Sequence, residues 1–184
     1  MSLQPGQSLA IRAGTFHVAG GVEAHGLTDV TVSIAGRLLF SPDTAVWPHY
    51  ANTTTHHRAG LAFWNVSGLT LTSPTRGELN GNGAAWWSYP GIGYLVHAEN
   101  RPRLLTIGNS SSILIERLLL ADSPYWTAFF HHVDGLTVRH VGIVARRTPL
   151  VGHGLLDLSA FNTDGIDVAG RNVHVSRSDA RTPD

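Results

Sequence analysis

Short apolar-x-apolar steps, each introduced by a small or polar residue and closed by a turn, recur along the chain. The clearest copies are Asp29-Val30-Thr31-Val32, Gly68-Leu69-Thr70-Leu71, Ser112-Ile113-Leu114-Ile115, Gly135-Leu136-Thr137-Val138 and Asn172-Val173-His174-Val175. This alternation predicts half-buried strands, because successive strand side chains point to opposite faces. Counted between first apolar residues, the copies lie 39, 44, 23 and 37 residues apart. One step is close to a single coil of a β-solenoid, and the unevenness of the rest is what loop insertions on one side of the coils produce. A hairpin-linked meander is the rival arrangement, and Asn80-Gly81 and Asp134-Gly135 are its two candidate turns. The first is followed by Asn82-Gly83 and Trp86-Trp87 where a second alternating strand is needed, and the second opens directly into the Leu136 strand. The pattern therefore supports a meander poorly. The stretch Met1 to Ala10 lacks a 3.6-residue period, and many turns with few helices define an all-β class.

Leu9-Ala10-Ile11 and Gly14-Thr15-Phe16-His17-Val18 form a candidate first coil. A solenoid exposes unpaired strand edges at its ends, and the sequence stops at Asp184 just after the last copy with no visible lid. The expectation is one domain over residues 1–184, truncated at its C-terminal side.

Composition narrows the function. Charged residues are 14% of the chain, against 20 glycines, which suits strands and turns. All 13 cationic residues are Arg, they balance 13 acids, and the pI is near 7.2, so no global field draws in a polyanion and nucleic acid is not an expected partner. An acidic polymer would need a local cluster such as Arg146-Arg147, whose expected state is a solvated loop pair. The absence of Cys removes disulfides, thiol catalysis and thiolate metal sites. No 18-residue apolar run exists and Met1 to Leu9 has no signal-peptide pattern, so no membrane partner is expected. The sequons at Asn52, Asn65 and Asn109 suit a secreted glycoprotein, although such triplets also arise by chance.

The densest polar motif is Asn162-Thr163-Asp164-Gly165-Ile166-Asp167-Val168, with Asp184 following 20 residues after Asp164. If a coil takes about that length, the two aspartates stack on neighbouring strands roughly 4.8 Å apart at the backbone. Inverting glycoside hydrolysis needs an acid and a base whose carboxyl groups stand about 6.5–9.5 Å apart to admit water, a spacing that diverging side chains on stacked strands can reach. Repulsion between such neighbours raises one pKa and keeps a proton on the acid. An ordinary Asp-Gly turn accounts for Asp164 and Gly165 equally well. Asp167, three residues on, should face the other way in a regular strand and is assigned a supporting role. His56-His57 and His131-His132 have metal-binding residue types but neither i,i+4 spacing nor a carboxylate partner, so they are read as surface or satisfied histidines.

Five segments in order resemble glycoside hydrolase family 28, the polygalacturonases. They are Gly77-Glu78-Leu79-Asn80-Gly81-Asn82-Gly83 with Trp86-Trp87; Arg101-Pro102-Arg103-Leu104-Leu105; Asp122-Ser123-Pro124-Tyr125-Trp126-Thr127; Asn162-Thr163-Asp164-Gly165-Ile166-Asp167; and Asn172-Val173-His174-Val175 leading to Thr182-Pro183-Asp184. The resemblance spans roughly residues 60 to 184 and is specific as a combination. It implies a right-handed parallel β-helix that hydrolyses α-1,4 galacturonan with inversion and without metal or cofactor. It matches Asp164 to the base that holds the attacking water and Asp184 to the acid, the first member of an Asp-Asp pair. Asn162 of the same motif is the substrate-binding candidate. The second aspartate of that pair, a downstream Gly-His-Gly histidine and an Arg-x-Lys clamp are not in the sequence, so the chain is expected to hold part of the site. Gly152-His153-Gly154 has the right letters on the wrong side of Asn-Thr-Asp and is read as an inserted loop. Trp86-Trp87 is assigned to packing ahead of a sugar platform. The resemblance further implies a pectic polysaccharide as partner, a monomer, and an extracellular or cell-wall location. The alternatives are a β-helix that holds polysaccharide without cleaving it, and a polysaccharide lyase on the same fold.

Overall fold

In each of the five copies the residue just before the first apolar position sits in the left-handed region: Asp29, Gly68, Ser112, Gly135 and Asn172 have φ of 49°, 72°, 56°, 77° and 56°. That region is open to Gly and tolerated by short polar residues, which is why the small-or-polar position recurs. The computed structural model describes residues 3–51, 56–87, 101–146, 160 and 162–181. In chain order these form β1 (Ser8–Ile11), β2 (Thr15–Val18), β3 (Val22–His25), β4 (Thr28–Ile34), β5 (Arg37–Phe40), β6 (Leu61–Trp64), β7 (Ser67–Thr72) and β8 (Glu78–Asn80). After a short 3₁₀ turn at Gly83–Ala85 come β9 (Leu105–Glu116), β10 (Leu119–Ala121), β11 (Ala128–Arg139), β12 (Gly142–Val144), β13 (Ile166–Ser176) and β14 (Asp179–Arg181).

Every ladder between these strands is parallel. One sheet runs β1-β4-β7-β9-β11-β13 with β3 and β6 joined to it beside β9, and the second runs β2-β5-β8-β10-β12-β14. Successive coils thus add one strand to each sheet in sequence order, and the result is a right-handed parallel β-helix. The five copies stack in register: Val30 pairs with Leu69, Leu69 with Ile113, Ile113 with Leu136 and Leu136 with Val173. Two residues on, Val32, Leu71, Ile115, Val138 and Val175 form a parallel row. Apart from Val173 and Val175 on the last coil, these side chains are buried. The second sheet closes the core from the other side with the row Phe16, Leu38, Leu79, Leu120, Ile143 and Ala180. Neither hairpin-type dipeptide makes a hairpin: Asp134 and Gly135 lie inside β11, and Asn80 ends β8.

The uneven spacing has a single cause. The connection from a second-sheet strand to the next coil is short between β10 and β11, and long after β5, β8 and β12. All insertions therefore gather at one corner of the coil. They are anchored there by indoles, as Trp47 Nε1 donates to the Arg58 carbonyl at 2.8 Å and Trp87 Nε1 to the Ser123 carbonyl at 3.1 Å. Trp47 meets Trp86 edge-on at 5.4 Å, and both Trp86 and Trp87 are buried, as their assignment to packing requires.

Candidate active site

The Asn-Thr-Asp motif occupies this insertion corner. Asn162 takes φ of 57° and is half-buried, and Thr163 turns inward and is fully buried. The Thr163 hydroxyl donates to the Ala160 carbonyl at 2.9 Å, and the Thr127 hydroxyl of the preceding coil donates to the Thr163 carbonyl at 3.4 Å. The Thr127 amide donates to the Asp164 carbonyl at 2.8 Å and the Ala128 amide to Gly165 at 3.2 Å. Asn supplies the left-handed residue, Thr the anchor, and Asp164 is left half-buried with its backbone tied to the coil before.

The same hydrogen bonds extend the ladder past the strand ends. Leu104 donates to Trp126 and Thr127 to Asp164, which places Arg103, Trp126 and Asp164 in one row across three coils. Thr106, Phe129 and Asp167 form another row. Between the rows the Arg103 guanidinium lies 4.6 Å from the Trp126 ring centre and 4.3 Å from that of Phe129, while Trp126 and Phe129 are 5.4 Å apart. The cluster continues through Phe129 stacked on His131 at 5.3 Å and His131 against Trp64 at 5.3 Å. Burial lowers the pKa of His131, helped by the charges of His132 and Arg103. The chain bends at Gly165, ahead of β13, so simple alternation does not relate Asp164 to Asp167. Their rows adjoin through the Trp126–Phe129 contact.

Arg146 is an exposed loop residue, as expected, but it is a paired one. Its guanidinium pairs with Asp122 at 2.6 Å and Glu78 at 3.3 Å, and its amide donates to Asp122 at 2.8 Å. The hydrogen bond it donates to Asp122, ahead of the opposing cost of burial, raises its already high pKa. Asn80 Nδ2 joins the same network at 2.7 Å from Glu78 and 3.2 Å from Asp122. A lone surface Arg is the default from composition, but here consecutive coils stack two acids beside it. Asp184, His153, Arg147 and Asn52 lie outside the described residues. His56 and His57 line a pocket beside Arg101 and Arg103. The aromatic-arginine cluster was missed as a unit in the sequence, although Arg103 and Trp126 both sit in motifs that carried the resemblance.

A parallel coil, with its loops and an acidic motif collected at one corner, places the protein among the right-handed parallel β-helix proteins. The model for glycosyl hydrolases family 28 matches residues 8–184, and the chain belongs to that family. It is 27% identical to a probable exopolygalacturonase B of Aspergillus flavus over 179 residues, covering 92% of this chain and 40% of that protein. A probable exopolygalacturonase B of Neosartorya fischeri is 28% identical over 183 residues, 95% of this chain and 38% of that one. The chain thus spans about two fifths of the length of these relatives. Among solved structures, the endo-xylogalacturonan hydrolase of Aspergillus tubingensis superposes with a TM-score of 0.75 at 22% identity, over 93% of this chain and 42% of that one. An exopolygalacturonase of Thermotoga maritima gives 0.69 at 15% identity, over 94% and 44%. These two likenesses concern the fold.

Proposed function

We propose that the protein hydrolyses α-1,4 linkages of galacturonan with inversion, acting on pectin outside the cell. Asp164 serves as the base that orients the attacking water, Asp184 as the acid that protonates the leaving oxygen, and Asn162 as a substrate contact. The observation that carries the reading is the construction of the Asn162–Asp164 turn. A buried Thr163 and hydrogen bonds from Thr127 and Ala128 fix the aspartate backbone at the loop-bearing corner. Catalysis gains from such fixation, since a base must hold its water within hydrogen-bond reach of the reacting carbon's far side. Family membership and the exopolygalacturonase relatives support the substrate class.

The test is reducing-end release from polygalacturonate by the protein and by its Asp164→Asn and Asp184→Asn variants. Each variant is expected to lose roughly 10²–10⁴-fold in kcat, the usual worth of a positioned proton-transfer group. Undiminished turnover in either would remove that residue from the mechanism. An unsaturated, ultraviolet-absorbing product would identify a lyase, and binding of polygalacturonate without any product would leave a non-catalytic polysaccharide-binding coil.

A further inference from the structure

The five stacked copies place Asp, Gly, Ser or Asn at the left-handed position that opens each one, but a second left-handed row breaks this rule. It lies in the turns from the first sheet to the second, at the far end of the long strands from the insertions. Here Arg76, Arg117, His140 and Arg177 have φ of 65°, 56°, 54° and 48°. Each stands two positions before a second-sheet strand, and the pairing of Glu78, Leu119, Gly142 and Asp179 puts all four in one register row. Gly or Asn fits such a position with less strain, because Arg offers no short polar group to satisfy the turn. Turn formation therefore does not account for the arginines, and what they add to the row is charge.

The row forms a column along the helix axis, with one coil step of roughly 4.8 Å between neighbours. All four residues are exposed. Arg117 is committed, since it pairs with Glu116 and donates to the Ser73 carbonyl at 3.0 Å. Arg139 meets the other oxygen of Glu116 at 2.7 Å, so that acid is already neutralised. The side chains of Arg76, His140 and Arg177 make no hydrogen bond or ion pair with the described residues. Between them lies a hollow of about 490 Å³ in which Asp179 is the only lining acid, and Asp179 faces Arg181 at 3.5 Å. A Cβ on Gly142 would meet Arg76 Nη2, so the guanidinium lies across the hollow where a larger residue would displace it. A second hollow of about 430 Å³ continues from His140 and Arg177 to Arg139 and His174.

We propose that this column is a second binding site, which holds an acidic polysaccharide along the helix axis without cleaving it. A guanidinium fork matches a planar carboxylate, and a linear array of cations suits a chain with a carboxylate on successive sugars better than a compact anion. The chain as a whole balances 13 cationic residues against 13 acids, so attraction is confined to the column. The choice of a uronate polymer rests on the pectic-substrate reading above. The column and Asp164 occupy different corners of the coil, so a polymer held at one leaves the other open. Its consequence is avidity: tethering to one stretch of polymer raises the effective concentration of the next stretch at the insertion corner.

The experiment is calorimetric titration with polygalacturonate in the Asp164→Asn background, which keeps the polymer intact, with Arg76→Asn and Arg177→Asn added together. Asn suits the left-handed position, so the column variant should melt at or above the temperature of its parent while binding the polymer roughly 5- to 30-fold more weakly. Its affinity should also fall less steeply with added NaCl, since two screened contacts are gone. Arg171→Gln, which removes an exposed guanidinium from the coil of Arg177 but outside the column, should change affinity by less than about twofold. Unchanged binding in the column variant, an equal loss in Arg171→Gln, or a single-stranded oligonucleotide of matched charge bound as tightly as polygalacturonate would each overturn the site. A melting temperature lowered in step with binding would make the arginines structural and overturn it as well. If the unsubstituted protein releases reducing ends but the column variant binds normally, the hydrolase reading stands and the column falls. Binding that depends on Arg76 and Arg177 without release of reducing ends has the opposite meaning.

Discussion

Glu116 illustrates how a residue acquires its meaning from the coil before and the coil after. Its side chain is only 6% exposed and accepts from Arg139 Nε at 2.8 Å and Thr72 Oγ1 at 3.1 Å, with Arg117 also paired to it. Burial pushes its pKa up, but the hydrogen bonds from Arg139 and Thr72 and the two guanidinium charges outweigh this and hold it below the ordinary carboxylate value. A depressed folded-state pKa contributes stability that is complete above the unfolded pKa and disappears as pH falls through the folded one. Glu116→Gln should therefore lower unfolding free energy by on the order of 1–3 kcal/mol near neutrality. The difference from the parent should vanish at strongly acidic pH; denaturant melts between pH 7 and pH 2 check both. The sequons have a similar lesson. Asn65 and Asn109 occupy consecutive coils in register, both at positive φ and both exposed. Corner geometry accounts for Asn at both positions without invoking a glycan.

At the scale of the element, close approach between coils controls which residues a strand can start with. Gly14, Gly36 and Gly77 stand one above another where the chain enters the second sheet. A Cβ on Gly77 would overlap the Ile34 carbonyl oxygen of the preceding coil. Backbone cannot yield as a flexible side chain does, so Gly77→Ala should cost about 1–3 kcal/mol or more and lower the midpoint of thermal unfolding. Gly135→Ala, inside β11 of the other sheet, tests another effect, strain at φ of 77° with no such clash, and is expected to cost less.

For the whole molecule, the core is a stack in which each side chain touches its counterparts in adjacent coils. Leu136 lies between Ile113 and Val173 and is fully buried. Leu136→Ala should cost about 2–5 kcal/mol, because a cavity in mid-stack can collapse only by moving two coils toward each other. Equilibrium unfolding by circular dichroism measures it. The same architecture explains why one corner collects the chemistry. Both sheets are hydrogen-bonded ladders that accommodate no more than a bulge such as the register shift between His131 and Val133, so longer additions accumulate where the ladders are interrupted.

Local alternation and turn chemistry were enough to locate the five stacked copies and to predict insertion on one side. They were enough because these features depend on residues within a few positions of one another. The Asn162-Thr163-Asp164 motif was also legible, since its left-handed Asn and anchoring Thr are local requirements. Hidden were the partners of Arg146 and the row that joins Arg103, Trp126 and Asp164. Those partners come from coils separated by insertions of unequal length, and only the hydrogen-bonded register of the stacked strands determines which residues meet.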